Sequence, residues 1–193
     1  MSLHSEDQRA LGFYDLSEIV QNIPNFITIL RMVVLPHLVY AFNHQITLVS
    51  HVLFLFSIGT DLADGFVARK LNSVSTFGAY LDVVFDFLFI FGMYFNFTIK
   101  GIYSPWILFM IVFVFSQFIL SNLYLKQTIY DPIGKYYGSL LFGGIGLTLL
   151  FSHPIVYQIV TFGIIISTSA SLISRLTHFS LQRKRKVNSA FHP

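Results

Sequence analysis

The 193-residue chain has no cysteine. Disulfides and thiolate metal sites are therefore excluded, while the redox compartment stays open. It is also short of charge. Asp, Glu, Lys and Arg make up 11% of the residues, against about 25% in an ordinary soluble domain. The first twenty residues, MSLHSEDQRALGFYDLSEIV, lack a basic segment followed by an apolar core. No cleavable signal is expected, and the first apolar run should stay as an anchor. What remains is apolar: 54% hydrophobic residues, 22 of them Phe, and a mean hydropathy of +0.68. Such a chain reads as an all-α integral membrane protein.

Hydropathy places six spans near 26–43, 46–66, 78–98, 104–125, 136–152 and 154–175. Ahead of them, Leu16, Ile19, Val20 and Ile23 recur at helical spacing before Pro24. This predicts a short interfacial helix, a solvated leader being the alternative. The domain division that follows is a leader over 1–25, a six-helix domain over 26–175 and a basic tail over 176–193.

With the N-terminus in the cytoplasm, the inner segments collect Arg9, Arg69, Lys70, Lys126, Lys135, Arg175, Arg183, Lys184, Arg185 and Lys186. The outer loops hold Lys100 alone among Lys and Arg. The asymmetry predicts both termini inside. The RKRK run at 183–186 reads as a topology signal and solvated end, with contact to anionic lipid as the alternative. Trp106, beside Pro105, marks the outer interface. His37 and His51 fall inside spans and are expected as packed, hydrogen-bonded residues rather than ligands. Small residues recur every four positions in span five, as in Gly134/Gly138 and Ser139/Gly143, with Gly144 and Gly146 following. They predict close helix packing within the chain, or else a dimer face.

The nine acidic residues are not spread evenly. Four of them, Asp61, Asp64, Asp82 and Asp86, lie in DLADGFVARKLNSVSTFGAYLDVVFD, residues 61–86, between apolar runs. On helices, Asp61 and Asp64 share one face of span two, and Gly78, Asp82 and Asp86 share one face of span three. The short linker makes the spans antiparallel neighbours, so the acidic faces can converge at the cytoplasmic side. One such Asp at membrane depth costs about 2.5–3.5 kcal/mol, and four together need a compensating cation. Carboxylate oxygens suit Mg²⁺ or Mn²⁺. A pair of such ions suits phosphoryl transfer, where it neutralises phosphate oxygens and a leaving group. Gly65 and Ala68 leave a smooth approach beside the site, and Arg69 adds a cationic fork suited to phosphate. A plainer reading makes Asp61 and Asp64 helix-end caps, with Asp82 and Asp86 as partners of Arg31 or Lys70.

The pattern D-x2-D-G-x2-A-R-x8-G-x3-D-x3-D, with all eight fixed residues present, resembles the signature of the CDP-alcohol phosphatidyltransferases. Upstream, Pro24, Asn25, Thr28 and Arg31 are similar to that family's P-N-x-x-T-x-x-R pattern in its first span. The resemblance implies transfer of a phosphatidyl group from a CDP-linked lipid such as CDP-diacylglycerol to an acceptor hydroxyl, with release of CMP. It implies that Asp61, Asp64 and Asp82 bind one divalent ion, that Asp61, Asp82 and Asp86 bind a second, and that Asp86 is the general base. Gly65, Ala68 and Arg69 would line the donor site, with Ser75 offering a hydroxyl to its phosphates and Asn25 and Thr28 approaching from span one. It also implies a homodimer among membrane lipids, with no nucleic-acid partner.

For the acceptor, NIPNFITILR and FGAYLD look most like the members that use glycerol 3-phosphate, the phosphatidylglycerophosphate synthases. Those members have Pro and Lys where this chain has Val83 and Phe87, and an Arg-Glu pair where it has Gln117. Inositol phosphate, inositol and serine are the alternative acceptors. An acceptor phosphate needs cations: Lys135 in IGKYYG, which is similar to a Gly-Lys of many members, then Lys126, Arg175 and Arg31. Arg31 could instead pair with a motif carboxylate. A cation or proton transporter using the four Asp residues as a relay is the reading from another class.

Overall fold

The structure is a computed structural model. It describes the backbone of residues 29–70, 76–125 and 132–191, and the side chains of 29–60, 83–117, 119, 136–174 and 177. The interfacial helix expected before Pro24 lies outside the described residues. Six helices and no strand occur among the described residues. These are α1 (Ile29–Asn43), α2 (Thr47–Lys70), α3 (Thr76–Ile99), α4 (Trp106–Leu125), α5 (Pro132–Leu150) and α6 (Pro154–Phe191). Each coincides with an expected span to within a few residues, except that α6 continues as helix well past residue 175. One segment among the described residues, Pro154–Ser174, is long and apolar enough by itself to cross a membrane.

Helix ends follow local chemistry. Gln45 and Gly101 have positive φ, 57° and 71°. Ile46 N–H reaches back to Ala41 O at 2.9 Å and Gln45 N–H to Phe42 O at 3.1 Å. Ile102 N–H likewise reaches Phe97 O at 2.9 Å and Gly101 N–H reaches Thr98 O at 2.9 Å. Both are Schellman closures, which need a left-handed residue just past the helix. At the start of α6, Pro154 occupies the first turn, where a missing N–H costs nothing. His153 caps it, accepting from Ile155 N–H through Nδ1 at 3.3 Å.

The chain divides into two compact units, one up to Phe89 and one from Ile90. In the first, α1 buries a stripe at helical spacing: Arg31, Val34, Leu38 and Ala41. In α2, Ser50, Phe54 and Ser57 are buried. In the second unit α5 and α4 both pack on α6. Its core holds Met93, Tyr94 and Phe97 of α3, Ile111 of α4, Leu141 and Ile145 of α5, and Val160 and Ile164 of α6.

Apolar side chains line outer helix faces while several polar ones are buried. Ile155, Ile159, Phe162 and Ile166 line one face of α6 and are 59–67% exposed. Trp106, Phe109 and Phe113 do the same on α4. Meanwhile Ser57, Thr60, Asn96, Thr148, Thr168 and Ser171 are buried. Buried hydroxyls must find acceptors, and helix carbonyls supply them: Ser57 donates to Leu53 O at 3.0 Å, Thr60 to Ser57 O at 2.8 Å, Thr148 to Gly144 O at 2.7 Å.

The small residues of α5 have distinct roles. A Cβ on Gly144 would meet Tyr94 Oη and come 2.9 Å from Val160 Cγ1, whereas one on Gly138 or Gly143 would meet nothing within 4 Å. Gly144 thus serves packing within the chain, whereas Gly138 and Gly143, which carried the four-residue spacing, meet no neighbour at their would-be Cβ. Beside it Tyr94 donates to Leu141 O at 3.2 Å, and Tyr103 lies 2.5 Å from Thr148 Oγ1. Thr148 has one proton and gives it to Gly144 O, so Tyr103 is the donor of that pair. This Tyr–Thr network was not among the sequence expectations. Its signal was present in the isolated tyrosines and threonines of apolar spans.

Candidate active site

The eight signature residues all fall within α2 and α3. Helix α2 runs without interruption to Lys70, so Asp61 and Asp64 precede its last residue by nine and six positions (70 less 61 and 70 less 64). They are interior helix residues, and the capping explanation for them does not hold. At about 100° per residue the two are separated by about 60° around the helix, so the continuous helix keeps them on one face. The same holds on α3. Asp82 and Asp86 lie one turn apart, six and ten residues after Thr76, with about 40° between them.

The side chain described at this site is that of Asp86, and it has a partner. Arg31 Nη1 of α1 forms an ion pair with Asp86 Oδ1. The register of α1 explains why. Arg31 shares the buried stripe with Val34, Leu38 and Ala41, so helix formation carries a guanidinium into the interior. There a charge needs an opposite charge. Arg31 is fully buried, 0% exposed, whereas Asp86 is 32% exposed. The cation is sealed in the protein, while on the acid the paired Oδ1 is buried and the side chain as a whole is partly exposed. Val83 and Phe87, which flank the last two motif carboxylates, are half-buried.

This is the alternative the sequence offered for Arg31: it meets a motif carboxylate. The other proposed site residues lie outside the described side chains. They are Asp61, Asp64, Gly65, Ala68, Arg69 and Asp82 of α2 and α3, Lys135 and Arg175 of α5 and α6, and Asn25, Thr28, Ser75 and Lys126. Among the described residues no group of three metal-ligating side chains occurs. His37 bonds its own helix, Nδ1 to Val33 O at 2.8 Å. It does so on an exposed face, where a packed position was expected. Trp106 opens α4, exposed beside Pro105 as an interfacial residue would be.

The donor set fits divalent ions in kind. Four carboxylates on two helix faces offer hard oxygen ligands. The one carboxylate that is described is already held by a cation, the guanidinium of Arg31.

Comparison with known proteins supplies the family. Residues 21–181 match the family described as CDP-alcohol phosphatidyltransferase. A protein of Aquifex aeolicus (strain VF5), named CDP-diacylglycerol--glycerol-3-phosphate 3-phosphatidyltransferase, is 30% identical over 131 residues, covering 67% of this chain and 74% of its own length. Proteins of the same name from Wigglesworthia glossinidia brevipalpis and Rickettsia felis (strain ATCC VR-1525 / URRWXCal2) are 32% and 39% identical. Those matches cover 53% and 36% of this chain, and 58% and 40% of the relatives' lengths. No solved structure matches the chain. The chain is a member of the CDP-alcohol phosphatidyltransferase family, a membrane-embedded family of transferases generally dependent on divalent metal.

Proposed function

We propose that this chain transfers the phosphatidyl group of CDP-diacylglycerol to a hydroxyl of glycerol 3-phosphate and releases CMP. The observation that carries the reading is the intact carboxylate signature inside two continuous helices, within a family match over residues 21–181. The printed names of the relatives support the choice of donor and acceptor.

The reaction joins the acceptor oxygen to the phosphorus that bears the diacylglycerol and breaks that phosphorus's bond to the bridging diphosphate oxygen, which leaves on CMP. Two divalent ions, when bound, would neutralise the phosphate oxygens and the departing charge. Asp61, Asp64 and Asp82 would hold one ion, and Asp61, Asp82 and Asp86 the other. Asp86 would take the acceptor's proton; its partly open carboxylate supports that role. Gly65 and Ala68 would let the donor lie close to α2, with Arg69, Ser75, Asn25 and Thr28 binding its polar half. Lys135, Lys126 and Arg175 would meet the acceptor phosphate.

The same reading makes all six helices spans, with both termini and the site at the cytoplasmic side and two chains in a dimer. The helices α2 to α5 have 24, 24, 20 and 19 residues. At 1.5 Å per residue the shortest of these four reaches about 28 Å, close to a hydrocarbon core of about 30 Å, and the described part of α1 reaches about 22 Å. The apolar outer faces of α4 and α6 support contact with lipid.

The test incubates purified protein with CDP-diacylglycerol, Mg²⁺ or Mn²⁺ and one of glycerol 3-phosphate, inositol phosphate, inositol or serine, and identifies the lipid product by mass. The expected result is CMP release with phosphatidylglycerophosphate as product. A different lipid would move the acceptor within the family. No CMP release with any acceptor, together with metal-driven ion flux in proteoliposomes, would replace the reading with a transporter.

A further inference from the structure

We infer that Arg31 is the resting counter-cation of the carboxylate cluster: its guanidinium holds Asp86 while the site is empty, and a divalent ion takes its place at Asp86 when the site loads. The inference rests on the metal-dependent reading above.

Three observations carry it. First, the pair is asymmetric. Arg31 is fully buried and the Asp86 side chain is about one-third exposed, while the Oδ1 that meets the guanidinium is itself buried, so an ion that binds through that oxygen displaces Arg31 from it. Second, the charges do not add. Four motif carboxylates carry four negative charges, and two divalent ions balance them. Without ions, Arg31 supplies Asp86 with a positive charge that the register of α1 brings there, since it lies on the buried stripe. With both ions bound, that same charge sits beside a balanced site. Third, the guanidinium and an ion that binds through Oδ1 would compete for that one oxygen. The contact at Asp86 and metal binding at Asp86 are therefore opposed, and by linkage each weakens the other. A purely structural ion pair, placed away from the ligand set, would have no such coupling.

Arg31 is on this account a positioning residue. It keeps Asp86 on one rotamer between turnovers and gives that carboxylate a counter-charge while the site is empty.

The experiment measures Mn²⁺ binding to the full chain in detergent, from the loss of the free-ion EPR signal, for the unaltered chain, Arg31→Met, Arg31→Lys, Asp86→Asn and the double variant Arg31→Met/Asp86→Asn. Arg31→Met should bind Mn²⁺ more tightly by about ten-fold, the scale of one charged hydrogen bond removed as a competitor. Arg31→Lys keeps the charge without the fork and should fall between. In the Asp86→Asn background, removing Arg31 should change Mn²⁺ affinity by clearly less than it does with Asp86 present, because the contested carboxylate is gone. Thermal unfolding with and without Mn²⁺ gives a second measure: the ion should raise the midpoint of Arg31→Met by more than that of the unaltered chain. If Arg31→Met fails to fold, Arg31→Lys decides by the same sign. Equal or weaker Mn²⁺ binding in the folded Arg31 variants overturns the inference alone. An unaltered chain that binds no Mn²⁺ and releases no CMP overturns the metal reading along with it.

Discussion

Replacing Gly144 by alanine adds one methyl group where α5 passes close to Tyr94 of α3 and Val160 of α6. The new Cβ would run into Tyr94 Oη and lie 2.9 Å from Val160 Cγ1. Neither neighbour can withdraw easily, since Tyr94 is fully buried and Val160 is 5% exposed. Overpacking of this kind costs about 1–3 kcal/mol. Displacing Tyr94 also breaks its 3.2 Å hydrogen bond to Leu141 O, and stranding those buried groups costs about 1–3 kcal/mol more. Against this, alanine in a helix interior gains about 1 kcal/mol over glycine. The net loss is about 1–5 kcal/mol, and 3 kcal/mol would lower the unfolding midpoint by about 6–12 °C in a chain of this size. Gly143 is the internal control. Nothing lies within 4 Å of its would-be Cβ, so Gly143→Ala should be neutral or stabilising by up to about 1 kcal/mol. Far-UV circular dichroism melts in one mild detergent measure both. Adding Tyr94→Phe should recover part of the Gly144→Ala loss, because it removes the atom that is struck. If Gly144→Ala proves as stable as Gly143→Ala, the close approach of α3, α5 and α6 at this point is wrong.

Asp86→Asn should lower turnover by at least about 10²-fold, the scale of a lost general base, while CDP-diacylglycerol binding, followed by calorimetry, persists; normal turnover would remove the base assignment. At the Schellman closures, Gln45→Gly should stabilise the fold and Gly101→Ala should destabilise it, each by about 0.5–1 kcal/mol, since φ is 57° and 71° there; melts showing the opposite signs would refute the closure geometry. Burial pushes the Tyr103 phenol up to about 12 from its ordinary value of 10.0. Its folded value lies above the unfolded one, so its contribution to stability is complete below pH 10 and is lost as pH rises toward 12. Absorbance at 295 nm should show fewer tyrosines ionising near pH 10 in the unaltered chain than in the unfolded one. Tyr103→Phe should lose one tyrosine from that late component.

The helices were legible in the sequence because lipid-scale apolar runs and short polar breaks leave few alternatives. That is why α4 is found at Trp106–Leu125 for an expected 104–125. The run of α6 to Phe191 was not legible: hydropathy falls near residue 175, and hydropathy is what marks a span's end, whereas the backbone carries on wherever its hydrogen bonds do. The shared helix faces of the carboxylates were legible for a different reason. Residues that recur at one position in three or four fall on one face, and α2 and α3 run unbroken through them. Arg31 could be offered two roles from sequence, and only packing could choose between an acceptor phosphate and a motif carboxylate.

By itself the sequence determined an all-helical, lipid-adapted chain with a phosphoryl-transfer signature, since composition, periodicity and residue spacing are local properties. The tertiary structure decided which groups touch. It set Arg31 against Asp86, Gly144 beneath Tyr94 and Tyr103 against Thr148, because contacts between residues far apart in the chain depend on how helices rotate about their axes and how closely their backbones approach. No local pattern encodes either quantity.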